Sequence, residues 1–171
     1  MKIQKKSLKD YAGRAAAFLA ACLLLFLSGC GGKQQTIAAG ADLESLGDQI
    51  LAAVEWQDKD LAPLPDQLWD RYMEQVERED FSQYLVIAGG GSTAEEIALF
   101  EAKDEATAEA TEEAMQARYE YFRKSYENYT PEQLENLDDP VLIRSGNYVF
   151  SVISPDNAAA KKAVEDWIEA Q

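Results

Sequence analysis

Residues 81–102, FSQYLVIAGGGSTAEEIALFEA, decide which class of fold this chain adopts. Residues 92–95 match the capping box that begins a helix, and on that interpretation one long helix runs from there to about Tyr129. The apolar residues 81–88 and 97–102, however, lie on either side of three glycines, which is the pattern of two strands joined by a turn. We therefore predict a β-hairpin here, followed by a helix whose N-cap is Asp104.

The helix predicted from Asp104 to about Tyr129 carries the clearest apolar period in the chain. Side chains spaced three and four residues apart form one stripe, made of Ala108, Thr111, Met115, Tyr119, Phe122, Tyr126 and Tyr129. This spacing favours a buried seam against the sheet. The alternative is that the aromatic side chains of residues 119–129 bind a sugar ring or a partner helix.

A second hairpin is predicted near the C-terminus. Residues 141–144 and 148–153 are short apolar runs around Ser145-Gly146-Asn147, which is typical of a tight turn between strands. A last amphipathic helix is expected from about Pro155, and its inward side chains would be Ala160, Ala163, Val164, Trp167 and Ile168.

Two helices are predicted before the first hairpin. The first begins at Asp42 as N-cap, and the second is a short helix that begins at Pro65. The resulting order of elements is helix, helix, hairpin, helix, hairpin, helix. It predicts an α+β fold, with a small antiparallel sheet built from two β-hairpins and helices packed on one face.

The first thirty residues have the organisation of an export signal. A basic segment precedes residues 15–27, which carry no charge, and Leu27-Ser28-Gly29-Cys30 follows. Those four residues resemble the lipobox of bacterial lipoproteins, which implies lipid transfer to the sulfur of Cys30 and cleavage before it. An uncleaved membrane anchor is disfavoured, because the 13 uncharged residues are fewer than the roughly 20 that a spanning helix needs.

These boundaries divide the chain into three parts. Residues 1–29 are expected to be a cleaved lipoprotein signal peptide, and residues 30–41 a lipidated cysteine with a flexible tether. Residues 42–171 form a single acidic α+β domain, a size that accommodates one core. We expect the protein at the cell membrane, held by its lipid and facing outside the cytoplasm.

Charge restricts the partners of the mature protein. Residues 1–29 contain five of the 16 basic residues and one of the 31 acidic residues, so the remainder carries 11 basic and 30 acidic residues, a net charge of −19. Such a surface is repelled by phosphate backbones and by anionic lipid headgroups. We therefore expect no nucleic-acid partner, and we expect contact with the membrane through the covalent lipid alone.

Cysteine and histidine content excludes several classes of enzyme. The chain has no histidine, and its two cysteines are Cys22, inside the signal segment, and Cys30. Catalytic mechanisms that need a Ser-His-Asp or Cys-His arrangement are therefore absent from this chain. Zinc, copper and non-haem iron also lose their usual ligands, so we expect no metal site and no cofactor.

Two other features are candidate sites. The Gly89-Gly90-Gly91-Ser92-Thr93 loop could cradle phosphate through its backbone N–H groups, but it lacks the lysine of a P-loop and is better interpreted as a hairpin turn. Acidic pairs such as Glu95/Glu96 could serve acid–base chemistry or hold calcium, with Asp138-Asp139-Pro140 the best calcium candidate. Acidic pairs are more often a solvated face, which is the interpretation we favour.

The second half of the chain resembles a known family. The segments that carry the resemblance are Ala94-Glu95-Glu96-Ile97, Tyr129-Thr130-Pro131-Glu132 and Gly146-Asn147-Tyr148. They are similar to domain-of-unknown-function family 4358, found in small lipoproteins of Gram-positive bacteria, over roughly residues 66–168. The resemblance implies an extracytoplasmic location and a strand at residues 96–102, and it implies no particular activity.

These observations lead to one expectation about function and one alternative. We expect a non-enzymatic protein-interaction or assembly module, with an exported protein as partner and an exposed apolar patch as its site. The alternative is a small-ligand or solute-binding lipoprotein, which would have a concave pocket lined by aromatic side chains.

Overall fold

The computed structural model describes residues 37–171. The predicted signal peptide, the lipobox Leu27-Ser28-Gly29-Cys30 and the first part of the predicted tether lie outside the described residues. Within residues 37–171, no helix is long and apolar enough to cross a membrane.

A five-stranded antiparallel sheet forms the centre of the domain, so the predicted α+β class is confirmed. The strands lie side by side in the order β1-β2-β3-β5-β4. Their bounds are Ala62–Pro63 for β1, Phe81–Ala88 for β2, Glu96–Ala102 for β3, Val141–Ser145 for β4 and Tyr148–Ile153 for β5. Both predicted hairpins are present, and β1 is a short edge strand that the sequence did not predict.

Four α-helices complete the fold, and the three long ones begin at an aspartate. Their bounds are Leu43–Ala53 for α1, Trp69–Tyr72 for α2, Glu105–Tyr126 for α3 and Asn157–Glu169 for α4. Asp42, Asp104 and Asp156 each accept a hydrogen bond from a backbone N–H in the first turn of α1, α3 and α4. The predicted caps Asp42 and Asp104 are therefore confirmed. Short 3₁₀ helices lie at Asp66–Leu68, Arg78–Asp80 and Pro131–Leu137.

Helices cover both faces of the sheet, whereas the sequence predicted one. Ile97 and Leu99 of β3 face a core cluster formed with α1 and α4. Ala98 and Phe100 point the other way, into a cluster that contains Trp69 of α2 and Met115 of α3. All seven residues of β3 are buried, because successive side chains of a strand point to opposite faces and here both faces are covered.

The C-terminal end of α3 differs from the prediction. The stripe is buried at Ala108, Thr111, Met115, Tyr119 and Tyr126, and Phe122 is half-buried. The helix ends at Tyr126 instead of continuing to Tyr129, and the Tyr129 side chain is 88% exposed. The buried-seam interpretation therefore holds for the helix and is wrong for Tyr129.

Residues 37–41, which we call the strap, pack onto the sheet. Ile37 and Ala41 are buried in the cluster beneath α1 and α4. The Tyr148 hydroxyl donates to the carbonyl of Ala38 at 2.8 Å and accepts from the N–H of Ala41 at 3.1 Å. The sequence predicted that the domain begins at Asp42 and that residues 30–41 are a flexible tether. Within the described residues the domain already begins at Ile37, because residues 37–41 pack on the core and bind Tyr148 of β5.

Candidate functional site

A buried ion pair connects β3 to α3. Glu96, the first residue of β3, is 2% exposed, and its carboxylate accepts from Nε and Nη2 of Arg118 at 2.8 and 2.6 Å. The hydroxyl of Tyr72 donates to the same carboxylate at 3.0 Å. Three donors therefore satisfy a carboxylate that would otherwise be costly to bury.

Arg118 lies between two aromatic rings. Its guanidinium carbon is 4.2 Å from the ring centroid of Tyr72 and 4.5 Å from that of Phe122. Burial opposes the charge of Arg118, but the carboxylate of Glu96 outweighs it and raises the pKa of the guanidinium above its ordinary value. This side chain is therefore a permanent cation that holds the two rings in place.

The outer face of this cluster opens into two depressions that share Tyr121, which we together call the aromatic groove. The first has a volume of about 380 Å³ and the second about 280 Å³. The first is lined by Arg71, Tyr72, Glu74, Gln75, Ala114, Ala117, Arg118 and Tyr121. The second is lined by Gly91, Tyr121, Phe122, Ser125, Tyr126, Tyr129 and Thr130.

Exposed aromatic side chains are concentrated at this groove. Tyr121 is 65% exposed and Tyr129 is 88% exposed, and Tyr121 contacts Phe122 with ring centroids 6.0 Å apart. Trp56 and Trp69 are buried. Among the described residues, the groove is thus where large aromatic rings reach solvent.

The glycine loop joins β2 to β3 as the hairpin turn that the sequence favoured. Gly91 has a φ of +89°, which suits glycine. The Thr93 hydroxyl donates to Asp58 at 3.2 Å, and the Tyr126 hydroxyl donates to the carbonyls of Gly91 and Thr93. The loop is therefore held by side chains from two other parts of the chain.

Glu95 and Glu96 do not form a catalytic pair. Glu95 accepts from the N–H groups of Gln57 and Asp58, at 3.1 and 2.8 Å, on the side of the sheet where α1 ends. Glu96 binds Arg118 of α3 on the other side. The favoured interpretation, a solvated acidic face, is wrong for these two residues, because both are 2% exposed and fully hydrogen-bonded.

The structure offers no metal centre at the predicted calcium candidate. Asp138 and Asp139 are exposed before β4. No group of three acidic, cysteine or histidine side chains within residues 37–171 is placed to hold a metal ion.

Four tyrosines have a pKa that burial raises above the ordinary value. They are Tyr72, Tyr119, Tyr126 and Tyr148. Each hydroxyl has a partner in the fold: for example, the Tyr119 hydroxyl donates to the carbonyl of Val141 at 2.8 Å and lies 2.7 Å from Oγ of Ser151. Burial is the largest cause of each raised pKa, and the carboxylates of Glu96 and Glu101 add to it at Tyr72 and Tyr148.

Sequence reasoning missed Arg118, which is the residue that organises the site. The indication was present: Arg118 adjoins Tyr119 of the apolar stripe and lies four residues before Phe122, a spacing that stacks side chains on one helix face. A basic residue at such a position indicates a buried anionic partner, and Glu96 is that partner.

One comparison with known proteins identifies a family. A family model described as "Domain of unknown function (DUF4358)" matches residues 67–154, more than half of the chain. The match contains the ion pair of Glu96 and Arg118 and the rings of Tyr72 and Phe122, and it ends before α4. No curated protein and no solved structure matches the chain.

Proposed function

The chain belongs to the domain-of-unknown-function family DUF4358, and from that premise we propose that it is a lipid-anchored extracytoplasmic protein that binds an exported protein partner through the aromatic groove. Its anchor is the acylated sulfur of Cys30, inside the cell-membrane lipoprotein signal at residues 27–30. Its role is non-enzymatic: it presents a surface on which another protein assembles.

The exposure of Tyr121 and Tyr129 carries this proposal. Aromatic rings left in solvent cost free energy in an isolated domain, and Tyr is enriched where proteins bind each other. Both rings lie at the rim of the aromatic groove, and Phe122 between them is half-buried and becomes fully covered when a partner packs there. The groove is open along the helix, as expected for a surface that accepts a protein segment.

Charge complementarity indicates the chemistry of the partner. The mature chain has 30 acidic and 11 basic residues. Glu120, in α3, and Glu127, directly after its last residue, are exposed on either side of Tyr121 in the sequence. We therefore expect a partner that packs apolar side chains on the tyrosines and places lysine or arginine beside the surrounding carboxylates. Such a partner would gain both apolar contact and charge complementarity.

The residue content supports a non-enzymatic role. The chain lacks histidine, and the mature chain keeps no cysteine except the proposed acylated one. The buried carboxylates Glu95, Glu96 and Glu101 are each occupied by donors of the fold. None of them is free to act as an acid or base on a substrate.

Site-specific photocrosslinking in intact cells tests the proposal. A photoreactive phenylalanine analogue replaces Tyr121 in the full-length lipoprotein, and the matched control carries it at Glu165, an exposed position of α4 on the other side of the sheet. We expect one dominant adduct with an exported protein from position 121 and none from position 165. In the same background, Tyr129→Ser should reduce the adduct severalfold.

Three results would contradict this function. Equal adducts from both positions would mean that the groove is not selective. Absence of any adduct, together with thermal stabilisation of the mature domain by a small molecule, would instead favour the ligand-binding alternative. Turnover of a cell-wall or peptide substrate that a groove variant loses would make the protein an enzyme.

A further inference from the structure

We propose that the strap, residues 37–41, makes the chain leave the domain at one end of the sheet, so that this end faces the lipid bilayer and the aromatic groove lies at the far end. The inference rests on the proposed lipid anchor at Cys30 and goes beyond it. A flexible tether would let the domain turn freely, whereas a docked strap determines where the chain leaves the domain.

Three side chains in a row across the sheet hold the strap. Gln83, Glu101 and Tyr148 are paired neighbours on β2, β3 and β5. Glu101 is 5% exposed, and its two carboxylate oxygens accept from the N–H of Gly40 at 3.0 and 3.2 Å. Gln83 donates to the carbonyl of Ala41 at 2.6 Å and to Glu101 at 2.8 Å.

The strap also fills part of the core. Ile37 is 7% exposed and packs in the cluster beneath α1 and α4. Freeing the strap would expose this side chain and leave the Glu101 carboxylate without the Gly40 N–H. Both effects favour the docked state, because buried apolar surface and charged hydrogen bonds each stabilise it.

Docking of the strap leaves a short stretch of chain between the proposed lipid anchor and the domain. Only residues 31–36 separate Cys30 from Ile37. At about 3.5 Å per residue, the chain from the acylated sulfur to the strap extends at most about 25 Å. The strap end of the sheet is therefore confined to within a few nanometres of the lipid headgroups.

The aromatic groove lies at the opposite end. The helix α3 begins beside the strap end, two residues after β3 ends at Ala102, and it runs for 22 residues to Tyr126. At about 1.5 Å per residue, this spans about 33 Å. The Tyr126 hydroxyl then binds the glycine loop at the other end of β3. The groove residues Tyr121 and Tyr129 are thus held away from the membrane, where a partner can reach them.

Energy transfer to the membrane surface from a position in the first turn of α3, and from the residue directly after its last one, tests this orientation. Ala106→Cys marks the strap end and Glu127→Cys marks the groove end, and both positions are exposed. The acylated Cys30 does not react with a maleimide, so each full-length lipoprotein takes one donor dye. The labelled proteins are reconstituted into phosphatidylcholine vesicles that contain an acceptor dye on the lipid headgroup.

We expect transfer from position 106 to be about twofold or more higher than from position 127, because roughly 32 Å of helix separates them. Ile37→Ser/Tyr148→Phe removes the buried side chain and the hydroxyl that hold the strap, and it should bring the two values together. A six-residue Gly-Ser insertion after Gly32 keeps the strap docked and lengthens the tether. It should therefore lower transfer from both positions while 106 remains higher.

Each other result overturns a specific step. Equal transfer from both positions in a lipidated, vesicle-bound protein refutes the orientation and leaves the lipid anchor standing. An unchanged difference in Ile37→Ser/Tyr148→Phe refutes the role of the strap, with the melting curve showing that this variant is folded. Failure of the full-length protein to become acylated and to bind vesicles refutes the proposed anchor itself.

Discussion

Removing the positive charge of Arg118 should strongly destabilise the domain. In Arg118→Met the side chain keeps its contacts with the rings of Tyr72 and Phe122 and loses its guanidinium. Glu96, 2% exposed, then has the Tyr72 hydroxyl as its remaining side-chain donor among those described. Breaking a buried pair in this way typically costs about 3–5 kcal/mol, a large part of the roughly 5–15 kcal/mol that stabilises a domain.

A second substitution should recover part of this loss. In Glu96→Gln/Arg118→Met the buried charge is gone, and the amide oxygen can still accept from Tyr72. What remains is an amide N–H without its partner, which costs about 1–3 kcal/mol. We therefore expect the double variant to be about 2 kcal/mol more stable than Arg118→Met, although it loses one more polar interaction.

Urea denaturation followed by tryptophan fluorescence measures these differences, because Trp56, Trp69 and Trp167 are all buried. The matched control is Arg144→Met. Arg144 binds Glu112 at 2.8 Å, with side chains 31% and 28% exposed, so its loss should cost less than about 1 kcal/mol. The reasoning is refuted if Arg118→Met costs no more than this control. It is also refuted if the double variant is no more stable than Arg118→Met.

Three further predictions concern the glycine loop, alkaline pH and the anchor. A Cβ on Gly89 would lie 1.9 Å from Oδ2 of Asp58, so Gly89→Ala should lower the free energy of unfolding, measured in urea, by about 1–3 kcal/mol. Gly90 has open space around it, so Gly90→Ala should change that free energy by less than about 0.5 kcal/mol. Equal losses in the two variants would contradict this. Burial raises the pKa of four tyrosines, so at alkaline pH the folded state keeps protons that the unfolded chain releases. The urea concentration at the midpoint of unfolding should therefore fall as pH rises above about 10. A midpoint that stays constant would contradict this. Cys30→Ala should abolish metabolic labelling with palmitate and leave an uncleaved precursor. Its unfolding midpoint should stay unchanged, because residues 37–171 contain the core. A variant that is still labelled would refute the proposed anchor.

Local signals in the sequence were sufficient for the strands and the helix starts. The glycines at 89–91 and the cap at Asp104 outweighed the capping box at residues 92–95, and β2, β3 and α3 begin where these residues indicate. A turn and a cap act within a few residues, so the sequence can report them directly. The end of α3 could not be predicted in this way. Tyr126 and Tyr129 continue the three-residue and four-residue spacing of the apolar stripe, although the helix ends at Tyr126.

The sequence also indicates how many faces of the sheet are covered, and the prediction of one covered face was wrong. Residues 96–102, EIALFEA, have no alternation of apolar and polar side chains, and a continuous apolar run indicates a strand buried on both sides. Glu96 and Glu101 interrupt this apolar run, and charged side chains are usually exposed to solvent. Each is buried because a partner distant in the chain reaches it: Arg118 binds Glu96, and Gly40 binds Glu101. Which residues pair in this way depends on the folded topology, so composition and spacing alone do not identify the two partners.

The same arginine that satisfies the core carboxylate also shapes the groove. Arg118 holds Phe122 at 4.5 Å, and Phe122 contacts Tyr121 on one side and Tyr126 on the other. The groove wall is therefore fixed from beneath by a charge that the fold cannot easily release. An exposed tyrosine supported in this way loses less conformational freedom on binding than one on a free helix face, which lowers the cost of association. On the proposed function, the rigid groove wall at one end and the docked strap at the other would both help to present the aromatic surface to a partner.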